Sequence, residues 1–278
     1  MPTKLCFVIL LFLSLGTSIW AQKHQKPPYS LDSPTAVYRL PDYLEEVSGL
    51  TYYAPGQLAM HNDENGRMYV FDLEKRKVVQ RVRFGGDGDF EGIERIGDHI
   101  YVIKSNGKLY RFHVGLEGVV EEISTPFHVG NNVEGLGYDA QKHLLLIALK
   151  DDGDVDKVKV KGKAIYGFDL KEEKFIKLPI YSVSHKQLEQ VVGKDFKFHP
   201  SGIAIHPLTG EAYVLSAHKR ALMVFGTDGK PKNLTELKRS LFPQPEGIAF
   251  APNGDLFISN EVEGDGGTLL WFKLNNGN

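Results

Sequence analysis

The chain has 278 residues, 42% of them apolar and 24% charged, which is enough hydrophobic mass for one large all-β domain or two small ones and too much for a disordered protein. Its 33 basic and 35 acidic side chains leave a formal charge of −2, which excludes the basic footprint of a nucleic-acid binder. One cysteine, Cys6, excludes an internal disulfide framework and a multi-cysteine zinc site.

The first predicted element is a leader. Lys4 precedes an apolar run from Leu5 to Leu15, and small residues lead to Ala21, the order of a secretory signal peptide with cleavage after Ala21. Ser14, Gly16, Thr17 and Ser18 interrupt the run before it reaches the roughly 20 apolar residues of a membrane span. Bulky Ile19 is the one poor fit to a processing site, so membrane association is expected only through an uncleaved N-terminal segment. Cys6 lies inside the run, where processing leaves nothing to lipidate. Export to the periplasm or cell envelope follows, with residues 22–33 as linker and 34–278 as a single domain. The mature chain carries 32 basic and 35 acidic residues and no cysteine, so its stability has to come from packing.

A strand-like segment, Ala36 to Leu40, comes next, and after it one short phrase recurs five times: a small or acidic residue, Gly, then Ile or Leu. The copies are Ser48-Gly49-Leu50, Glu91-Gly92-Ile93, Glu134-Gly135-Leu136, Ser201-Gly202-Ile203 and Glu246-Gly247-Ile248, at spacings of 43, 43, 67 and 45 residues. Periods of about 40–45 residues mark four-stranded propeller blades. Each phrase is followed by a second apolar strand and then by an aromatic-rich third, such as Met68-Tyr69-Val70-Phe71 or Leu270-Trp271-Phe272. Fourth strands are predicted at, for example, Val78 to Phe84 and Phe175 to Tyr181. The last repeat ends after its third strand, so Ala36 to Leu40 is expected to supply the missing outer strand and close the ring. The expected fold is therefore an all-β propeller of five four-stranded blades. The extra residues of the long spacing read as two excursions, Asp151 to Lys163 and a helical Ser184 to Gly193; a degenerate sixth blade is the competing account.

First strands line a propeller channel and second strands run back to the same face. Glu91, Glu134 and Glu246, with Ser48 and Ser201, are therefore expected to ring one mouth. The period of two adds Glu46, Asp89, Asn132, His199 and Gln244 to the same side. Second strands deliver Asn62 and Asp63, Lys104 and Ser105, Lys150 and Asp151, Ser216 and His218, Asn260 and Glu261. Two carboxylates about 6 Å apart at an effective dielectric of about 20 repel by roughly 3 kcal/mol, so something has to offset the cluster. A cation held by Glu91, Glu134, Glu246, Asn260 and Glu261 is the simplest answer, and oxygen-only ligands favour calcium or magnesium over zinc. Direct pairing with Lys104 or Lys150 is the alternative. With Asp63, Asp151 and His218, those lysines form the candidate site for a small or phosphorylated ligand.

Other motifs fail on inspection. Asp152-Gly153-Asp154-Val155-Asp156 begins like a calcium loop but has Lys157 and Lys163 where an EF-hand needs Gly and Glu. Gly85-Gly86-Asp87-Gly88 precedes a strand rather than a helix and reads as an interblade turn, not a phosphate cradle. The sequence contains no Gly-x-Ser-x-Gly or His-Glu-x-x-His motif.

The phrases Glu46-Val47-Ser48-Gly49-Leu50, Asp89-Phe90-Glu91-Gly92-Ile93-Glu94, Val133-Glu134-Gly135-Leu136 and Pro245-Glu246-Gly247-Ile248-Ala249 resemble the SdiA-regulated family of bacterial envelope proteins. That family is similar to the propellers of calcium-dependent lactonases and phosphotriesterases. The resemblance implies a propeller, a link to calcium and a phytase-like activity. Three functions stay open on these residues: a cation and ligand binder, a metal-dependent phosphoesterase or lactonase, and a scaffold for protein partners. In the hydrolase an acid such as Glu134 or Glu246 would activate water while Lys104 or Lys150 held the anion.

Overall fold

The computed structural model describes residues 26–116, 118–262 and 266–275; the expected leader, with Cys6 and the Ala21 boundary, lies outside them. After an opening strand β1 (Ala36–Arg39), blade one is β2 (Val47–Ala54), β3 (Gln57–Asn62), β4 (Asn65–Asp72) and β5 (Lys77–Asp87). Blade two is β6 (Phe90–Ile96), β7 (His99–Lys104), β8 (Leu109–His113) and β9 (Val120–Ile123). Blade three is β10 (Val133–Asp139), β11 (Leu144–Leu149) and β12 (Lys163–Asp169), edged by β13 (Lys174–Phe175) and β14 (Tyr181–Val183). A helix α1 (His185–Val192) leads to blade four, β15 (Gly202–Ile205), β16 (Ala212–Ser216), β17 (Ala221–Phe225) and β18 (Pro231–Glu236). Blade five is β19 (Pro245–Phe250), β20 (Leu256–Asn260) and β21 (Thr268–Phe272), and its outer strand is β1, antiparallel to β21 with Ala36 opposite Trp271 and Arg39 opposite Thr268. Five blades closed by the N-terminal strand are thus present, and no sixth is built from residues 151–200.

The second strand of each blade is buried on both faces, which explains why it reads as a continuous apolar run rather than an alternating one. In β11, Leu144, Leu146 and Ala148 pack toward blade four, while Leu145, Ile147 and Leu149 pack toward blade two. Five such apolar layers, one per interface, form the core. Upstream of β1 the chain adds a strap: buried Tyr29 sits among His206, Tyr213 and Phe250 and donates its hydroxyl to the Gly254 carbonyl at 2.7 Å.

Both excursions are confirmed, and each has a local cause. Ser184 caps α1 by accepting from the Gln187 amide while the Gln187 side chain accepts from the Ser184 amide, and Gly193 ends it at φ 76°. Residues 151–162 form a loop in which two acids serve the loop itself: Asp154 accepts from Val160 N at 2.7 Å and from Lys159 Nζ at 2.7 Å, and Asp152 from Asp154 N at 2.9 Å.

Two expectations are corrected. The predicted fourth strand of blade three is broken between Phe175 and Tyr181, a stretch holding Pro179, whose nitrogen has no proton for a ladder bond. Gly85 and Gly86 are not an interblade turn but belong to β5, where Gly85 passes close to Gly66 on β4.

Candidate functional site

The five inner strands β2, β6, β10, β15 and β19 stand around the axis, each touching the next. What lets them close so tightly is the glycine of each phrase. A Cβ on Gly92 would lie 2.6 Å from the Leu136 amide nitrogen, one on Gly135 3.0 Å from Gly202 Cα, and one on Gly247 2.6 Å from Leu50 Cβ. On Gly202 it would overlap the Glu246 carbonyl oxygen, and on Gly49 the His61 ring. Each glycine therefore seats the strand of the following blade, and Leu50, Ile93, Leu136, Ile203 and Ile248 form a buried apolar collar. The phrases line the channel from all sides, and at this level it offers about 10 Å³ to the centre of a water-sized molecule. That is room for about one water.

Above the collar stand Glu91, Glu134 and Glu246, the first residues of three phrases. Lys150, just beyond β11, reaches in and donates to Glu134 Oε1 at 2.8 Å. Burial works against the Lys150 charge, but Glu134, Glu246 and Glu91 together hold its pKa above the ordinary value. The acids do less well. Burial, reinforced by Glu134, Asp89 and Glu246, pushes Glu91 far up. Burial also raises Glu134 in spite of its ammonium partner, and Glu246, with Glu134 beside it, is pushed up to about 8. One ammonium does not compensate three carboxyls in a dry place.

The rest of the mouth is arranged around this centre. Gln244 bridges Glu246 and Glu261, at 3.2 and 2.5 Å. Burial and the charges of Asp63 and Glu46 raise Glu261, while burial and Glu46 push Asp63 up to about 6. The buried Oδ1 of Asp63 has no hydrogen-bond partner. Across the mouth, Asp151 accepts from Asn132 at 3.1 Å and lies 3.6 Å from His199 Nδ1; the His199 ring meets His218 edge-on at 5.4 Å. Lys163 Nζ lies 3.5 Å from His199 Nδ1 and donates to the Asp151 carbonyl at 3.3 Å.

Two candidate residues do not join the others. Lys104 lies over the Phe90 ring at 4.6 Å and reaches the Asp87 carbonyl at 3.4 Å, because its stem is drawn over the aromatic pair of Phe90 and Tyr110. Asn260 is fully buried, donating to the Leu241 carbonyl at 3.3 Å and Thr268 Oγ1 at 3.1 Å. In blade one Asn62 does the same to the Tyr43 carbonyl, so this asparagine clamps the incoming interblade loop rather than facing the mouth. Register shifts fall between Val47 and Gly49, Phe90 and Gly92, Val133 and Gly135, and Pro245 and Ile248, yet the residues two positions before the phrases still reach the mouth, Gln244 beside Glu246 and Asn132 and His199 beside Asp151. The sequence reading missed Lys163, whose only signal is that it ends the 151–163 excursion and so returns to the same face.

Known structures share this architecture. Glutaminyl cyclase from Myxococcus xanthus superposes with a TM-score of 0.61 at 14% identity, covering 87% of this chain and 95% of that one. A luciferin-regenerating enzyme gives a TM-score of 0.53 at 11% identity over 87% of this chain and 95% of its own. At such identities the likeness reaches the fold and no further. The family described as SdiA-regulated matches residues 34–263, from just before β1 to just past β20, so it takes in nearly the whole propeller and every phrase that builds the collar; the chain belongs to the SdiA-regulated family.

Proposed function

We propose that this is an envelope propeller whose acidic mouth binds a divalent cation, calcium above all, together with a small or phosphorylated ligand. The observation that carries the reading is the charge imbalance: Glu91, Glu134 and Glu246 share the one ammonium of Lys150, and Asp63 and Glu261 add further acid beside them. The donors are oxygens, and the partnerless Oδ1 of Asp63 is one of them, a set that suits calcium or magnesium. As the side chains stand, no three acidic or histidine groups among the described residues are close enough together to hold a metal. Glu91, Glu134, Glu246 and Glu261 would therefore regroup around the ion in competition with Lys150. Lys150 and Lys163, with His199 and His218 behind them, would hold an anionic ligand.

Calcium titrated into chelator-treated protein is expected to give a saturable heat and a higher Tm. Glu246→Gln should abolish most of that shift while leaving the metal-free protein as stable or more so, because it removes a like charge that is costly to ionise. Identical melting with calcium and with chelator would refute the reading.

A second reading is favoured by one value. The Glu246 carboxyl, at about 8, sits where a group can exchange protons near neutral pH, beside an ammonium that could hold a phosphoryl or lactone oxygen. A bound calcium would supply Lewis acidity to such an oxygen. Turnover of an aryl phosphate or a lactone by the calcium-treated protein, lost in Glu246→Gln, would establish a hydrolase; saturable calcium binding without turnover leaves a binder.

The envelope assignment rests on residues 1–21. Among the described residues no helix is long and apolar enough to cross a membrane. Fractionated cells are expected to yield a periplasmic form starting after Ala21; full-length protein retaining Met1 in the cytosol would overturn export.

A further inference from the structure

The channel has a second mouth. At the end remote from Glu134, the last residues of the inner strands and the turns behind them enclose a chamber of about 250 Å³ bordered by Thr51, Tyr52, Glu94, Tyr138, His206 and Phe250. The collar separates it from the acidic mouth by a gap of about 10 Å³. A cavity of about 150 Å³ already houses a benzene ring, and ordinary small-molecule sites begin at about 300 Å³. A compact ligand fits, and it has to enter from this side.

One ionisable group borders the chamber without a cationic partner. Glu94 Oε1 accepts from Thr51 Oγ1 at 2.9 Å and from the Arg95 amide at 3.1 Å, and the Tyr138 backbone gives the carboxyl a further hydrogen bond. These donors fix it in place. None of them is a cation: the Arg95 guanidinium donates to the Gly97 carbonyl at 3.0 Å and to the Tyr53 carbonyl, and lies 4.6 Å over the Tyr53 ring. The other acid on the rim, Asp139, is already paired with Lys142 at 2.8 Å. Burial pushes Glu94 up to about 8, the cost of holding a carboxylate there alone. Tyr52, Tyr138 and Phe250 line the same walls, and the face of an aromatic ring attracts positive charge.

We infer that this chamber is a binding site for a compact organic monocation, an ammonium or amidinium head on a small apolar body, with Glu94 as its counter-ion and Tyr52, Tyr138 and Phe250 as its walls. A lone carboxylate holds too few ligands for a metal, whereas one charge-assisted hydrogen bond and ring contacts are what such a molecule needs. The site is independent of any cation at the opposite mouth.

Benzylamine and benzyl alcohol share a shape and differ in charge, so their affinities for the full chain, measured by calorimetry at neutral pH, test the assignment. Benzylamine is expected to bind at least ten-fold more tightly, Glu94→Gln to bring the two to parity, and Tyr52→Leu to weaken benzylamine several-fold. Equal affinities on the unaltered protein, no benzylamine binding up to millimolar concentration, or a preference that survives Glu94→Gln would overturn it. Should Glu94→Gln fail to fold, Tyr52→Leu carries the test, and an unchanged benzylamine affinity then overturns the site.

Discussion

Gly202→Ala is expected to destabilise the propeller by about 3 kcal/mol or more, the upper range for a methyl forced into a packed interior. The new Cβ would overlap the Glu246 carbonyl oxygen, and that is backbone held by its own blade, not a side chain that can swing aside. The strain cannot be relieved locally, because moving β19 shifts its contact with β2 and so on around the ring. For a domain of this size the loss corresponds to a fall in Tm of roughly 6–12 °C. Gly86→Ala is the control: a Cβ there meets nothing within 4 Å, and no change is expected. Thermal melts of the two variants that coincide would show that the collar does not depend on close backbone approach.

Lys150→Met is expected to cost of order 2 kcal/mol at pH 8, less than the roughly 3–5 kcal/mol of a fully buried broken pair because the Lys150 side chain is 37% exposed. Most of that loss should vanish at pH 5. In the folded protein burial raises the carboxyls of Glu91, Glu134 and Glu246 above their ordinary value of 4.5. Between that value and their folded values the native state binds more protons than the unfolded chain, so their contribution to stability falls as pH rises. The unaltered protein should already show this decline through Glu246, at about 8, and loss of the ammonium makes it steeper. Urea denaturation at the two pH values measures it; an equal loss at both would mean that Lys150 acts through packing alone.

The parts of the fold that were legible in the sequence are those fixed by local chemistry. The five glycines set the period, Ser184 to Gly193 read as helical where α1 lies, and the missing outer strand of the last repeat pointed to the segment whose Ala36 to Arg39 fill it. Why glycine recurs was not legible, since its reason lies in the neighbouring blade. The site was legible to the same depth. Glu91, Glu134 and Glu246 were placed by their repeat position, and Lys150 was named as a pairing partner. Lys104 ends β7 much as Lys150 follows β11, yet the two diverge because Phe90 and Tyr110 offer one of them an aromatic surface. Asn260 was misplaced for a similar reason: its partners, Leu241 and Thr268, arrive from a loop and from the next strand. Glu94 was invisible as a site because its chamber is assembled from the far ends of separate strands.

The pairing of β1 with β21 also sets an order of events during synthesis. Blades one to four are built from neighbouring hairpins and can form as each length of chain emerges, whereas Ala36 has no partner until Trp271 has been made. Closing so long a loop costs only slightly more entropy than closing one half its length, so the delay is a matter of waiting rather than of energy. Until then the ring has a gap, and any β21 already present carries an unpaired edge. A nascent or nicked chain in that state can take the first strand of another copy in place of its own, giving a reciprocally exchanged dimer with the same blades and the same mouths.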